Sequence, residues 1–128
     1  MKELKLTVQI GKPIEEVFEF TTNPSNTPLW IDGIVKEVAE PKPVKLGTVY
    51  RNWDKAGKLS EYEVKQYDPP KVFQLDATQQ DYKVRYTYRS LSDYETELEY
   101  YEWSEAGELH SPFMQEILDK LKQIMESP

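Results

Sequence analysis

The chain of 128 residues has no cysteine and only one histidine, His110. Without cysteine there is no disulfide, no thiol nucleophile and no thiolate metal site. One histidine excludes a metal centre built from several imidazoles of one chain. We expect no metal and no cofactor. Basic residues are also few: 16 Lys and Arg stand against 23 Asp and Glu, a formal net charge of -7. Phosphate recognition leans on Lys and Arg, so nucleic acid is not an expected partner. An anionic membrane surface is equally unfavourable. No apolar run approaches the roughly 20 residues that span a bilayer, which argues against integral membrane association. Met1-Lys2-Glu3-Leu4-Lys5 leads into no apolar signal-peptide core. The expected location is the cytoplasm.

What the chain does hold is aromatic area. Nine Tyr, four Phe and three Trp make up 12% of the residues, which offsets a hydrophobic fraction of only 38%. The length fits one domain over residues 1–128, burying roughly two-thirds of its unfolded surface. No repeat, low-complexity tract or linker divides it, and Pro and Gly fall at the expected turns.

The one long helix-period segment runs from Ser111 to Glu126. Ser111 suits a cap and Pro112 the first turn. Phe113, Met114, Ile117, Leu118, Leu121, Ile124 and Met125 then form an apolar stripe, opposite Gln115, Glu116, Asp119, Lys120, Lys122 and Gln123. Such a helix needs a surface to cover, and most of the preceding chain reads as strand.

Leu4, Leu6, Val8 and Ile10 alternate with polar residues as a half-buried strand, ended by Gly11. Pro13 to Phe20 reads as a short helix with acids in its first turn. Asn23 suits the cap of a second, very short helix reaching Trp30. From Ile34 the period drops to two: strands are expected over Ile34 to Ala39, Thr48 to Trp53, Leu59 to Tyr67, Lys71 to Ala77, Tyr82 to Ser90 and Tyr94 to Trp103. Charge suggests the registers. Arg89 opposite Glu95, Thr87 opposite Glu97 and Arg85 opposite Glu99 leave Leu91-Ser92-Asp93 as the hairpin loop. Arg51 opposite Glu61 puts Tyr50 opposite Tyr62. One face of this antiparallel sheet is then charged, and the other carries Tyr, Val and Leu for the helix to cover.

Element order and local pattern together carry a family resemblance. Pro13-Ile14-Glu15-Glu16-Val17-Phe18, Asn23-Pro24 and Trp30 resemble the opening of the START-like (SRPBCC) superfamily, which includes polyketide cyclase/dehydrase and lipid-transport proteins. Gly47-Thr48-Val49-Tyr50, Tyr67-Asp68-Pro69-Pro70-Lys71-Val72-Phe73 and Thr96-Glu97-Leu98 are similar to its mid-chain landmarks, and Leu118 to Lys122 with Glu126 to its helix ending. The resemblance spans about Leu4 to Glu126. It implies an α+β, helix-grip fold: seven antiparallel strands curved around a long C-terminal helix, with two short helices after strand 1. It also implies a cavity between sheet and helix, often filled by a hydrophobic ligand. The superfamily shares no single catalytic motif, so the resemblance assigns no catalytic residues.

The registers point Tyr50, Tyr62, Phe73, Tyr86, Tyr88 and Tyr100 towards the helix. Each buried hydroxyl needs a partner, or costs about 1–3 kcal/mol. A packed Tyr core and a cavity holding a small hydrophobic or aromatic ligand both account for these residues. The helix wall of such a cavity would be Phe113, Met114, Ile117, Leu118 and Leu121. Trp30 and Trp53 suit its entrance, although docking of the short helices is the favoured reading of Trp30. Asn52, Gln66 and Gln74 would orient a ligand wherever they face inward. His110 reads as an exposed turn residue or as a base at the cavity mouth. Glu95, Glu97, Glu99, Glu102, Glu105 and Glu108 read as a solvated face partly paired with Arg85 and Arg89.

Three functions follow as expectations. The first is a carrier or binding protein for a small hydrophobic or aromatic molecule. The second is an enzyme of the cyclase/dehydratase kind, and the third an interaction module similar to chaperone activators. The lack of an obvious inward acid favours binding. The oligomeric state stays open, a homodimer included.

Overall fold

The computed structural model describes residues 1–109 and 112–128, so the readings of His110 and of Ser111 lie outside the described residues. The chain runs β1 (Lys2–Ile10), α1 (Ile14–Thr22), α2 (Thr27–Trp30), β2 (Lys36–Glu40), β3 (Val49–Trp53), β4 (Leu59–Asp68), β5 (Val72–Ala77), β6 (Lys83–Ser92), β7 (Glu95–Ser104) and α3 (Gln115–Glu126). All strands join one antiparallel sheet in the order β1-β7-β6-β5-β4-β3-β2. This is the α+β, helix-grip arrangement expected: a curved open sheet with a C-terminal helix against it. Among the described residues, no helix is long and apolar enough to cross a membrane, and no group of three His, Asp or Glu could hold a metal ion.

Local chemistry explains the short helices. Pro13 sits at the cap of α1, and Glu15 and Glu16 occupy its first turn, where the helix dipole favours acids. Asn23 Oδ1 accepts from the Ser25 amide at 3.0 Å and starts a 3-10 turn that hands over to α2.

The strand faces follow the alternation. Leu98 and Tyr100 of β7, Tyr86 and Tyr88 of β6, Phe73 of β5, Val64 of β4 and Tyr50 of β3 are buried in one core. The opposite face carries the ion pairs Arg51–Glu61, Arg89–Glu97 and Arg89–Glu99. A bulge between Val64 and Gln66 shifts the β4 alternation by one residue. Tyr67 is thereby brought to the core side, where it packs on Phe18 and Phe73.

The β6–β7 register differs from the expected one. Arg89 opposes Glu97, Thr87 opposes Glu99 and Tyr86 opposes Tyr100, a slide of two residues. A bulge between Ser90 and Ser92 leaves Asp93 and Tyr94 as a two-residue turn. A slide of two preserves every side chain's face, so the division into charged and aromatic sides survives.

α3 also starts later than expected, at Gln115. Met114 caps it with extended backbone, φ -119 and ψ 147. The cause is Phe113, whose ring stacks on Tyr100 at 3.9 Å and holds the chain off the helical path. From Gln115 onward α3 packs along β1 and against α2. Gln115 Nε2 and Lys122 Nζ donate to the Thr7 and Gln9 carbonyls, and the Gly11 amide donates to Glu126 at 2.6 Å. Leu118 and Leu121 are fully buried beneath it.

Candidate functional site

A cavity of about 190 Å³ lies inside the curved sheet. Its floor is the inner face of β3 to β7: Tyr50, Asn52, Tyr62, Phe73, Leu75, Val84, Tyr86 and Tyr100. Its roof is Thr21 of α1, Thr27 and Trp30 of α2, Ile31, Ile34, and Phe113 just ahead of α3. Glu37 of β2 and Tyr82 ahead of β6 complete the lining. An apolar void of about 150 Å³ is known to take benzene, whereas pockets for drug-sized ligands start near 300 Å³. The space fits one ring with a short substituent.

Of the residues expected to line a pocket, the structure brings together Tyr50, Tyr62, Phe73, Tyr86, Tyr100 and Phe113, with Trp30 in the roof. The others lie elsewhere. Tyr88 is buried but turned to α1, its hydroxyl 2.6 Å from Thr21 Oγ1. Met114 is 58% exposed. Leu118 and Leu121 are fully buried packing residues, and Ile117 packs half-buried against the same core. α3 runs along β1, so the roof falls to α2 and Phe113 and the helix wall is missing. Trp53 does not line the cavity; its ring lies 5.5 Å from Lys36 Nζ. Asn52 does face inward, whereas Gln74 bonds Asp76 and Arg85 on the outer face and Gln66 is exposed.

Two inward carboxylates were missed from the sequence. Glu37 takes a hydrogen bond from Thr27 Oγ1 at 2.6 Å and one from Asn52 Nδ2 at 3.1 Å. Asn52 is its direct cross-strand partner. Glu102, read as part of a solvated face, is only 1% exposed. Its Oε1 accepts from the hydroxyls of Tyr82 at 2.9 Å and Tyr100 at 2.7 Å. The parity of β7 could have exposed this, because Glu102 shares the face of Leu98 and Tyr100. For Glu37 no such signal exists, since Ile34-Lys36-Val38 and Val35-Glu37-Ala39 look equally apolar.

Burial raises the Tyr50, Tyr62, Tyr82, Tyr86 and Tyr100 hydroxyl pKa values. At neutral pH these groups stay protonated and donate. Tyr50 donates to the Thr22 carbonyl at 2.6 Å. Among the described residues, one buried side-chain donor finds no acceptor: the Trp30 indole N–H, on a residue 1% exposed. Buried polar groups are rarely left so.

Burial also raises the Glu37 pKa above its ordinary 4.5, against the lowering effect of Thr27 and Asn52. The folded chain then holds this proton more tightly than the unfolded chain. The stability Glu37 contributes falls as pH rises from 4.5 through the raised native value, and is level above it. Glu37→Gln removes this slope. Urea denaturation from pH 4 to 8 should show the variant gaining on the native protein as pH rises through that window. A constant difference would show that Glu37 titrates as if in water. Asp81, held at about 2 by the Ala106 and Glu105 amides, acts oppositely but equally in both proteins.

Solved structures repeat the architecture. A protein of Mesorhizobium loti is 18% identical, with a TM-score of 0.73 over 98% of this chain and 97% of that one. The solution structure of the Aha1 dimer from Colwellia psychrerythraea is 13% identical, with 0.72 over 98% and 97%. The di-domain ARO/CYC BexL of the BE-7585A biosynthetic pathway is 14% identical, with 0.64 over 81% of this chain and 36% of BexL. At such identities the likeness is one of fold. No curated protein matches the chain by sequence. The model of the polyketide cyclase / dehydrase and lipid transport family matches residues 1–126, and the chain belongs to that family.

Proposed function

We propose that this protein binds a small aromatic or hydrophobic molecule between its sheet and the α2–Phe113 roof, as a carrier or ligand-binding protein. The observation that supports it is the 190 Å³ cavity, walled by aromatic rings and supplied with polar groups from several elements. That combination is the usual form of a small-molecule site. The volume selects for a single ring and against a long acyl chain or fused polycycle. Native mass spectrometry of protein purified from cells tests the reading directly. A retained adduct of single-ring size is expected, and saturable quenching of Trp30 fluorescence by phenols should accompany it. Absence of saturable binding across phenols, benzoates, arylalkylamines and fatty acids would overturn the proposal.

Tyr86→Phe should separate binding from stability. Among the described residues no group hydrogen-bonds this hydroxyl, so its loss should leave stability within about 1 kcal/mol. Affinity for any phenol that binds should fall roughly 2- to 10-fold, the worth of one hydrogen bond. Unchanged affinity would remove Tyr86 from the site.

Glu37 favours a second reading, a cyclase- or dehydratase-like enzyme. A cavity-lining carboxylate whose pKa is raised suits a general base. The protonated tyrosines would then orient and donate. The interaction-module reading relied on a filled core, and the cavity removes that support.

A further inference from the structure

Resting on the binding reading, we infer that the ligand is an organic cation: a single-ring arylalkylamine, its ammonium set against Glu37 and its ring enclosed by the aromatic lining. The argument starts from a charge without a counter-charge. Glu37 is paired with no Lys or Arg among the described residues. Both its partners, Thr27 and Asn52, are neutral donors, one to each carboxylate oxygen. The ionised carboxylate can accept both bonds, which leaves its charge without a cationic partner. Its chain neighbour Lys36 is turned to the other face, over Trp53. A carboxylate withdrawn from water in this way is costly until a cation joins it.

Glu102 deepens the imbalance. It is 1% exposed, and its partners, Tyr82 and Tyr100, are again neutral. These two tyrosines line the cavity and Glu102 stands behind them; in the lining itself Glu37 is the one charged side chain among the described residues. The rings of Trp30, Tyr50, Tyr62, Tyr86 and Phe113 also line the cavity, and an aromatic wall is compatible with an ammonium group, which the face of a ring attracts. A carboxylate ligand would meet repulsion here, and a neutral one would leave Glu37 unpaired.

Three matched probes test this by calorimetry at pH 7 on the native protein: tyramine, neutral 4-ethylphenol and anionic 3-(4-hydroxyphenyl)propionate. Tyramine should bind at least about ten-fold more tightly than 4-ethylphenol, and the acid should be the weakest. Glu37→Gln should shrink the tyramine preference to less than about three-fold, because the attraction to a full charge is gone. If 4-ethylphenol binds as well as tyramine, the cation is wrong and the binding site itself stands. If none of the three binds saturably, both fail. The comparison among probes needs no variant, so it decides the matter even if Glu37→Gln folds poorly.

Discussion

Leu118→Arg should leave no cooperatively folded protein. Leu118 is fully buried at the centre of the α3 stripe, and α3 lies against β1 and α2. An arginine there puts an unpaired guanidinium into a site without a carboxylate partner, at a cost of several kcal/mol. Whole domains are stable by only about 5–15 kcal/mol. Snorkelling offers little relief, because Leu121 one turn on is equally buried. Thermal unfolding followed by circular dichroism should lose its sharp transition. A melting temperature within a few degrees of the native value would show that this face of α3 is not the clasp of the fold.

Phe73→Ala should destabilise strongly while keeping the fold. Phe73 is 2% exposed, and its ring meets Tyr50 at 5.5 Å, Tyr86 at 6.0 Å, Tyr67 at 6.3 Å and Phe18 at 6.4 Å. Removing a buried phenylalanine costs about 3–5 kcal/mol, from lost transfer energy and the void left behind. Here the void is not isolated: Phe73 lines the cavity, so its removal enlarges the site. Urea denaturation should show the loss, and an excess of benzene or indole should recover part of it by filling the space. A loss below about 1 kcal/mol, or no recovery, would mean that the cavity collapses around the deletion.

The sequence made the two faces of the sheet legible because period-two alternation is insensitive to slides of two. Arg89 could be paired with Glu95 or Glu97 and still stand opposite Tyr86 and Tyr88 in orientation. The true partner was not legible, because the Ser90–Ser92 bulge sits at the hairpin end, where Leu91 and Tyr94 are both exposed and burial fixes no register. Arg51–Glu61 came out correctly because no bulge intervenes in β3–β4 at that point. Most of the aromatic floor of the cavity was therefore readable, Tyr50, Tyr62, Phe73, Tyr86 and Tyr100; Tyr88 shares their parity but turns to Thr21, and Tyr82, ahead of β6, was missed. Its roof was not. The helical stripe suggested that Met114, Ile117, Leu118 and Leu121 faced the floor, but one ring stack, Phe113 on Tyr100, delays the helix and α3 settles over β1. Spacing along a helix reports which residues share a face, not which neighbour that face meets. Glu37 stayed hidden for a related reason: on a short edge strand with apolar residues at both parities, the facing direction is set by tertiary pairing with Asn52.

The pairing of β1 with β7 bears on how the molecule comes together. Lys2 stands opposite Ser104 and Ile10 opposite Thr96, so this ladder joins segments almost a hundred residues apart. Closing so long a loop is entropically slow, and topologies rich in such contacts fold slowly. On the ribosome β1 is made first and its neighbour last among the strands. Until β7 emerges, Leu6, Val8 and Ile10 have no sheet to join. The ring that roofs the cavity, Phe113, comes later still. A binding site here is thus a property of the finished chain: no growing intermediate that stops short of β7 contains it, and early capture of a ligand cannot guide the fold.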